Sequence, residues 1–248
     1  LIRIYNQKEI EILREGGRIL ASILEQLVNE VKIGVTSKEI DEIARQLIAE
    51  QDATPSFLGY RGFPAAVCIS VNDEIVHGLP KDRVFQKNDI VSLDLGLRYK
   101  GLCVDKAVTF SVSETNPSCQ KFLNVVKKSL DLATEQARPG QKLGSISETI
   151  QETIEKNGYS VVKDLFGHGV GKRVHEEPTI PNFGRKNSGP VLLEGMVLAI
   201  EPMAAMGSGR VELKDDGFTI VSWDGSLTAH FENTVAVTKK GPKVLTIV

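Results

Sequence analysis

The sequence predicts an α+β fold, and three observations predict it. Apolar residues step by threes and fours through the first third of the chain. Apolar runs bounded by Gly and Pro read as strands. The order helix, glycine, capping box, helix, strands occurs twice, so that residues 32–48 resemble residues 138–154. No linker or low-complexity stretch divides the chain. We therefore expect a single domain over residues 1–248, with pseudo-symmetric halves of 1–112 and 113–248 that share one sheet.

A first helix is expected from Gln7 to Val31, where Ile10, Leu13, Leu20, Leu24, Leu27 and Val31, with Gly17 on the same line, form an amphipathic stripe. Asn6 can cap it, and Gly34 follows its end. Thr36 and Glu39 form a capping box that opens a helix through Ile40, Ile43, Leu47 and Ile48. The Gly- and Pro-rich segment TPSFLGYRGFP leads into a strand, AAVCISV. Further on, Asn116-Pro117 starts a helix through Leu123, Val126, Leu130 and Ala133, closed by Arg138-Pro139-Gly140. Ser145 and Glu148 repeat the capping box, and that helix stops at Asn157-Gly158.

Between the two helix pairs, IVSLDLGL and CVDKAVTF read as one hairpin joined by Arg98-Tyr99-Lys100-Gly101. A four-residue turn sets Leu97 against Leu102 and Asp94 against Asp105, with Cβ atoms about 5 Å apart. Two ionised carboxylates that close repel unless a proton or a cation lies between them. A lone strand aspartate is better read as solvent-facing; a facing pair flanked by apolar residues favours a cation site.

Composition narrows the classes. With 248 residues the chain can bury a substantial core, and 25% charged residues at a net charge of −2 provide no basic excess to release counterions from nucleic acid. No apolar run approaches the ~18 residues of a membrane span, and the N-terminus lacks a signal-peptide core. Cys68, Cys103 and Cys119 are odd in number and unpatterned, which suits a reducing cytoplasm. The sequence opens at Leu1 rather than Met, in keeping with a processed or trimmed start.

The second half carries GHGVG (167–171), HEEP (175–178), AIEPM (199–203) and AHFENT (229–234). His77, His168 and His175 fall in loop-like or strand-end settings, and the glycines around His168 permit close approach to a ligand. Glu201 ends the apolar run MVLAI before Pro202, which holds it extended, so it must be paired, protonated or metal-bound. Strand alternation puts Glu232 on one face with Thr234 and Ala236. Either glutamate alone would be read as salt-bridged. Together, Asp94, Asp105, His168, Glu201 and Glu232 make four carboxylates and one imidazole. That set suits two divalent ions (Mn, Fe(II), Co or Zn) rather than a thiolate zinc site, with room for a bridging hydroxide.

At these residues the chain resembles the type I methionine aminopeptidases of the creatinase-like "pita-bread" family. FPAAVCISVNDEIVHGLP, the Asp94/Asp105 pair, GHGVGKRVHEEP, AIEPM and AHFENT arrive in the family's order, from the first helix to Thr238. The resemblance implies a curved antiparallel sheet backed by helices, with pseudo-twofold duplication. It implies that Asp94 binds one metal, Asp105 and Glu232 bridge both, and His168 and Glu201 bind the second. It further implies that His77 and His175 contact substrate, that Glu201 shuttles a proton, and that Tyr60, Phe63, Cys68 and Phe218 line a methionine pocket. The implied reaction removes N-terminal methionine from nascent polypeptides when the second residue is small, in the cytoplasm, at the ribosome and as a monomer. No membrane or nucleic-acid partner is expected, and the chain reads as a catalytic domain alone.

Some positions depart from the family's habit. Val174 replaces an aromatic residue, Phe218 stands where tryptophan is common, Phe57 is larger than usual, and the usual AQ(F/Y)EHT reads AHFENT, substituting His230 and Asn233. These bear on pocket shape and not on the hydrolytic class. The rival within the fold is an X-Pro aminopeptidase or prolidase, whose members usually carry a sizeable extra N-terminal domain. A non-catalytic relative binding peptides or RNA would typically lose metal ligands, and creatinase-like hydrolysis of a small metabolite ranks below both.

Overall fold

Asn6 opens the first helix, α1 (Gln7–Glu30), with a complete capping box: its side chain accepts from the Glu9 amide and Glu9 accepts from the Asn6 amide. The computed structural model describes residues 2–248, so the reading of Leu1 as a processed start lies outside the described residues. Gly17 lets α1 lie directly on the C-terminal segment, since a Cβ there would fall 2.7 Å from the Leu245 carbonyl carbon. The expected box of Thr36 and Glu39 opens α2 (Ser37–Ala49).

Five strands follow: β1 (Ala53–Pro55), β2 (Val67–Val71), β3 (Glu74–Val76), β4 (Ile90–Tyr99) and β5 (Leu102–Ser111). Two helices come next, α3 (Pro117–Thr134) and α4 (Gly144–Glu155). Asn116 caps α3 through the Cys119 amide, and the helix ends at Thr134, before the expected stop at Arg138. The second capping box does not form. Ser145 lies inside α4, where its hydroxyl donates to the Lys186 carbonyl while Glu148 accepts from the Lys186 amide. The two polar side chains hold a crossing loop instead of the helix end.

The remaining strands are β6 (Ser160–Val161), β7 (Phe166–Gly169), β8 (Glu176–Pro181), β9 (Val197–Ile200), β10 (Met203–Ala205), β11 (Val211–Leu213), β12 (Ile220–Ser222), β13 (Thr228–His230), β14 (Asn233–Thr238) and β15 (Gly241–Val244). The strands do not form the single shared sheet expected. β4 pairs with β5 on one edge and with β2 and β1 on the other, while β15-β14-β9-β7-β8 form a second, five-stranded antiparallel sheet. Two three-stranded ladders, β13-β10-β6 and β11-β12-β3, complete the set.

The larger sheets meet at β5, where side chains replace a continuous backbone ladder. Thr234 Oγ1 accepts from the Asp105 amide and donates to its carbonyl, both at 2.8 Å, and the Glu232 amide reaches the Ala107 carbonyl at 2.9 Å. α1 and α2 cover the first sheet with a core including Leu20, Leu24, Ile40, Leu93 and Leu95; α3 and α4 cover the second with Phe122, Ile146, Leu198 and Val235. Each such side chain contributes about 1.5–3 kcal/mol by leaving water. The seam between the sheets is polar, and the acidic side chains gather there.

Candidate metal centre

The hairpin register differs from the one expected. The turn is the two residues Lys100 and Gly101, both with positive φ (45° and 80°), so Tyr99 faces Leu102. This is the two-residue connection that matches strand twist. Asp105 consequently faces Gly96, and Asp94 faces Ala107. Because Asp94 and Gly96 are two apart on one strand, both aspartates still share a face, as diagonal neighbours. Gly96 keeps that face open: a Cβ there would meet the Phe57 ring at 2.6 Å.

The second sheet supplies the other groups. His168 on β7 pairs with Ala199 on β9, and Glu201 follows the end of that strand, two residues on. His168 Nδ1 donates to the Gly169 carbonyl at 3.0 Å, which leaves the Nε2 lone pair free, 3.5 Å from Glu201. Glu232 sits between β13 and β14, anchored through its amide to β5. All five expected residues are therefore brought together, and all five are buried. Asp105, His168 and Glu232 offer donor atoms within 4.8 Å of one another.

The electrostatics of this cluster are those of an acid group lacking its counter-charge. Burial pushes the Asp94 carboxyl up to about 7, aided by Glu201. Asp105 is pushed well above the usual range by burial and then by Asp94, Glu201 by burial, and Glu232 by burial and then by Asp105. Among the described residues no lysine or arginine lies within ion-pair distance of any of the four. Asp94 Oδ1 and Glu232 Oε1 are buried without a hydrogen-bond partner. Orphaned carboxylate oxygens, a free imidazole nitrogen and mutually repelling acids fit a divalent-cation site.

The cluster forms the floor of a cavity of about 610 Å³. His77 and His175 stand on its wall, as do Tyr60, Phe63, Cys68 and Phe218, so every residue expected at the site is in one place. His77 follows β3 in a left-handed conformation (φ 57°), held because the Gly78 amide donates to Ser70 Oγ and its carbonyl accepts from the Ile69 amide. Dehydration lowers His77 to about 4, with His230 adding to the effect, and lowers His175 to about 4, with His77 and Arg61 adding. His175 Nδ1 lies 3.0 Å from the Tyr60 hydroxyl. Phe63 and Phe218 meet edge to face at 5.6 Å. Cys68 pairs with Asp94 across β2 and β4, and burial with the Asp94 charge keeps its thiol protonated.

Of the departing positions, Phe57 lines the cavity and Val174 is buried in the core beside it. Asn233 accepts from Lys106 Nζ at 2.6 Å and from Thr246 at 3.0 Å, outside the acid cluster. His230 is different. It lies within the cluster, with Nε2 3.1 Å from Glu201. Sequence reasoning treated it only as a substitution; the available signal was its place two residues before Glu232 in the sequence.

Residues 11–239 match the sequence pattern of metallopeptidase family M24. The chain belongs to that family. It is 46% identical over 248 residues to the methionine aminopeptidase of Clostridium perfringens, covering all of both chains. Its structure is similar to that of methionine aminopeptidase from Thermotoga maritima, with a TM-score of 0.98, 42% identity and full coverage of both chains. It is also similar to prolidase from Pyrococcus furiosus, at a TM-score of 0.80 and 25% identity, covering 99% of this chain and 65% of that one. The fold is accordingly the α+β pita-bread fold with antiparallel sheets.

Proposed function

We propose that this protein is a type I methionine aminopeptidase, removing N-terminal methionine from polypeptides by hydrolysis. The observation that carries the reading is the cage of four buried carboxylates and one imidazole with no lysine or arginine partner among the described residues, in a chain 46% identical throughout to a methionine aminopeptidase. Asp94, Asp105, His168, Glu201 and Glu232 would hold two divalent ions of the Mn, Fe(II), Co or Zn kind. Bound there, such ions supply Lewis acidity and an activated water.

The chain's own groups account for the rest of the chemistry. A substrate's free α-amine would dock at the metal site near Asp94, on the cavity lining, which restricts cleavage to the first residue. In the tautomer whose Nδ1 accepts from the Tyr60 hydroxyl, the His175 ring proton sits on Nε2, where it can donate to the scissile carbonyl oxygen. His77 is likewise neutral at pH 7 and can hydrogen-bond the leaving amide. Glu201 in its ionised form would take the proton released as water adds to the carbonyl carbon. It passes that proton to the nitrogen as the C–N bond breaks. Tyr60, Phe63, Cys68 and Phe218 wall a pocket suited to a polarizable thioether.

The narrower readings belong to the same proposal: one catalytic domain over residues 1–248 whose halves, 1–112 and 113–248, both supply ligands; a small second residue in the substrate; and a monomer acting in the cytoplasm on nascent chains at the ribosome. No helix among the described residues is long and apolar enough to cross a membrane. Release of methionine from Met-Gly-Met-Met, with an Ala-Pro peptide left intact, in the presence of Mn or Co is the expected result. Metal-dependent cleavage of only the Ala-Pro peptide would favour the prolidase-like alternative.

A further inference from the structure

His230 closes β13 opposite Met203, and its main chain is pinned on both sides by one hydroxyl: Thr109 Oγ1 accepts from the His230 amide at 2.9 Å and donates to its carbonyl at 2.6 Å. The ring is 1% exposed, yet neither Nδ1 nor Nε2 has a hydrogen-bond partner. A buried imidazole with two idle nitrogens is costly unless something outside the polypeptide occupies one of them. Nε2 lies 3.1 Å from Glu201 Oε2 and 3.9 Å from Glu232 Oε2, without the alignment of a hydrogen bond to either.

Those separations have a natural reading. Donors about 2.1 Å from one cation stand ~3.0 Å apart at a right angle, ~3.4 Å at the tetrahedral angle and ~4.2 Å when opposed. Both observed distances fall in that range, and Glu201, His230 and Glu232 together bring their donor atoms within 4.8 Å. We propose that His230 is a sixth protein ligand, giving the cation beside Glu201 and Glu232 a second imidazole in addition to His168. The inference rests on the reading of the carboxylate cage as a divalent-metal site. Its consequence is selectivity: an added nitrogen in place of an amide favours Zn and Co over the harder Mn.

The test uses the whole chain and His230→Gln, which restores the residue usual in the family and is expected to fold; melting in chelator verifies this, and His230→Asn serves should the glutamine variant fold poorly. In calorimetric titration the variant should lose about 10–100-fold in Zn affinity at one site, while Mn affinity changes by less than about 3-fold. X-ray absorption of the fully Zn-loaded protein should show imidazole scattering falling by about half, since one of two histidine ligands is gone. Unchanged imidazole scattering, or equal losses for Zn and Mn, would overturn the assignment and leave His230 as a packing or charge-pairing group. A folded wild-type chain that binds neither metal would instead remove the cage reading itself, and this inference with it.

Discussion

Replacing Asp105 with asparagine should act in opposite directions with and without metal. Asp105 is 3% exposed, and burial, Asp94 and Glu201 all oppose its ionisation. Its Oδ1 accepts from the Lys106 amide at 3.0 Å, a bond an amide oxygen can keep. Holding an aspartate neutral at pH 7, when the unfolded chain would ionise it, costs up to ~4 kcal/mol. Four acids share that burden, so about 1 kcal/mol falls to this position. For a chain of this size that corresponds to roughly 2–4 °C. In chelator, Asp105→Asn should therefore melt above wild type.

Adding metal at about 100 times its dissociation constant stabilises a one-site protein by about 2.7 kcal/mol, so wild type should rise by roughly 5–11 °C. The variant should rise little and lose turnover. Paired melting curves in chelator and in Mn or Zn provide the assay. If the variant melts below wild type in chelator, the carboxylate is being stabilised by the protein itself and the reasoning fails. A full metal-induced rise in the variant would refute the assignment of Asp105 as a ligand.

Three further outcomes follow from the same site. The raised carboxyls make the folded, metal-free chain hold protons that the unfolded chain has released, a stabilisation present below the unfolded values and lost as pH rises through the folded ones; below about pH 6.5 the lowered imidazoles of His77, His168, His175 and His230 act in the opposite sense. Melting temperature in chelator should thus fall between about pH 6.5 and 7.5, and a rise there would contradict the cage. Gly169→Ala places a Cβ against the Glu177 main chain, 2.8 Å from its carbonyl carbon, so denaturant unfolding should show a loss of about 1–3 kcal/mol; an unchanged midpoint would show that β7 and β8 can separate freely. Tyr60→Phe removes the hydroxyl beside His175 Nδ1 and should lower kcat about 5–10-fold at unchanged stability, the scale of one hydrogen bond; unchanged kcat would remove the tyrosine from the orientation of His175.

The helix starts were readable because their signals are local: Asn6 with Glu9, Thr36 with Glu39 and Asn116 with Pro117 each act within one turn. Ser145 and Glu148 carry the same pattern but bond to Lys186, some forty residues away, a competition invisible in a short window. The hairpin register was missed because Arg98 and Tyr99 look like turn residues, whereas the chain turns on Lys100 and Gly101 alone. The shared face of Asp94 and Asp105 survived that error because a two-residue displacement preserves strand parity. The seam between the sheets depends on Thr109 and Thr234, whose hydroxyls bond to distant main chain and leave no periodic trace. His230 stood in the sequence only as a substitution, because nothing local showed that β10 and β13 bring it to Glu201.

The most direct measurement is an anomalous-difference map from crystals grown with Mn or Zn. The account predicts two adjacent peaks enclosed by Asp94, Asp105, His168, Glu201 and Glu232, both lost in Asp105→Asn. Density confined to the protein surface, with the five buried side chains left without a cation, would contradict it.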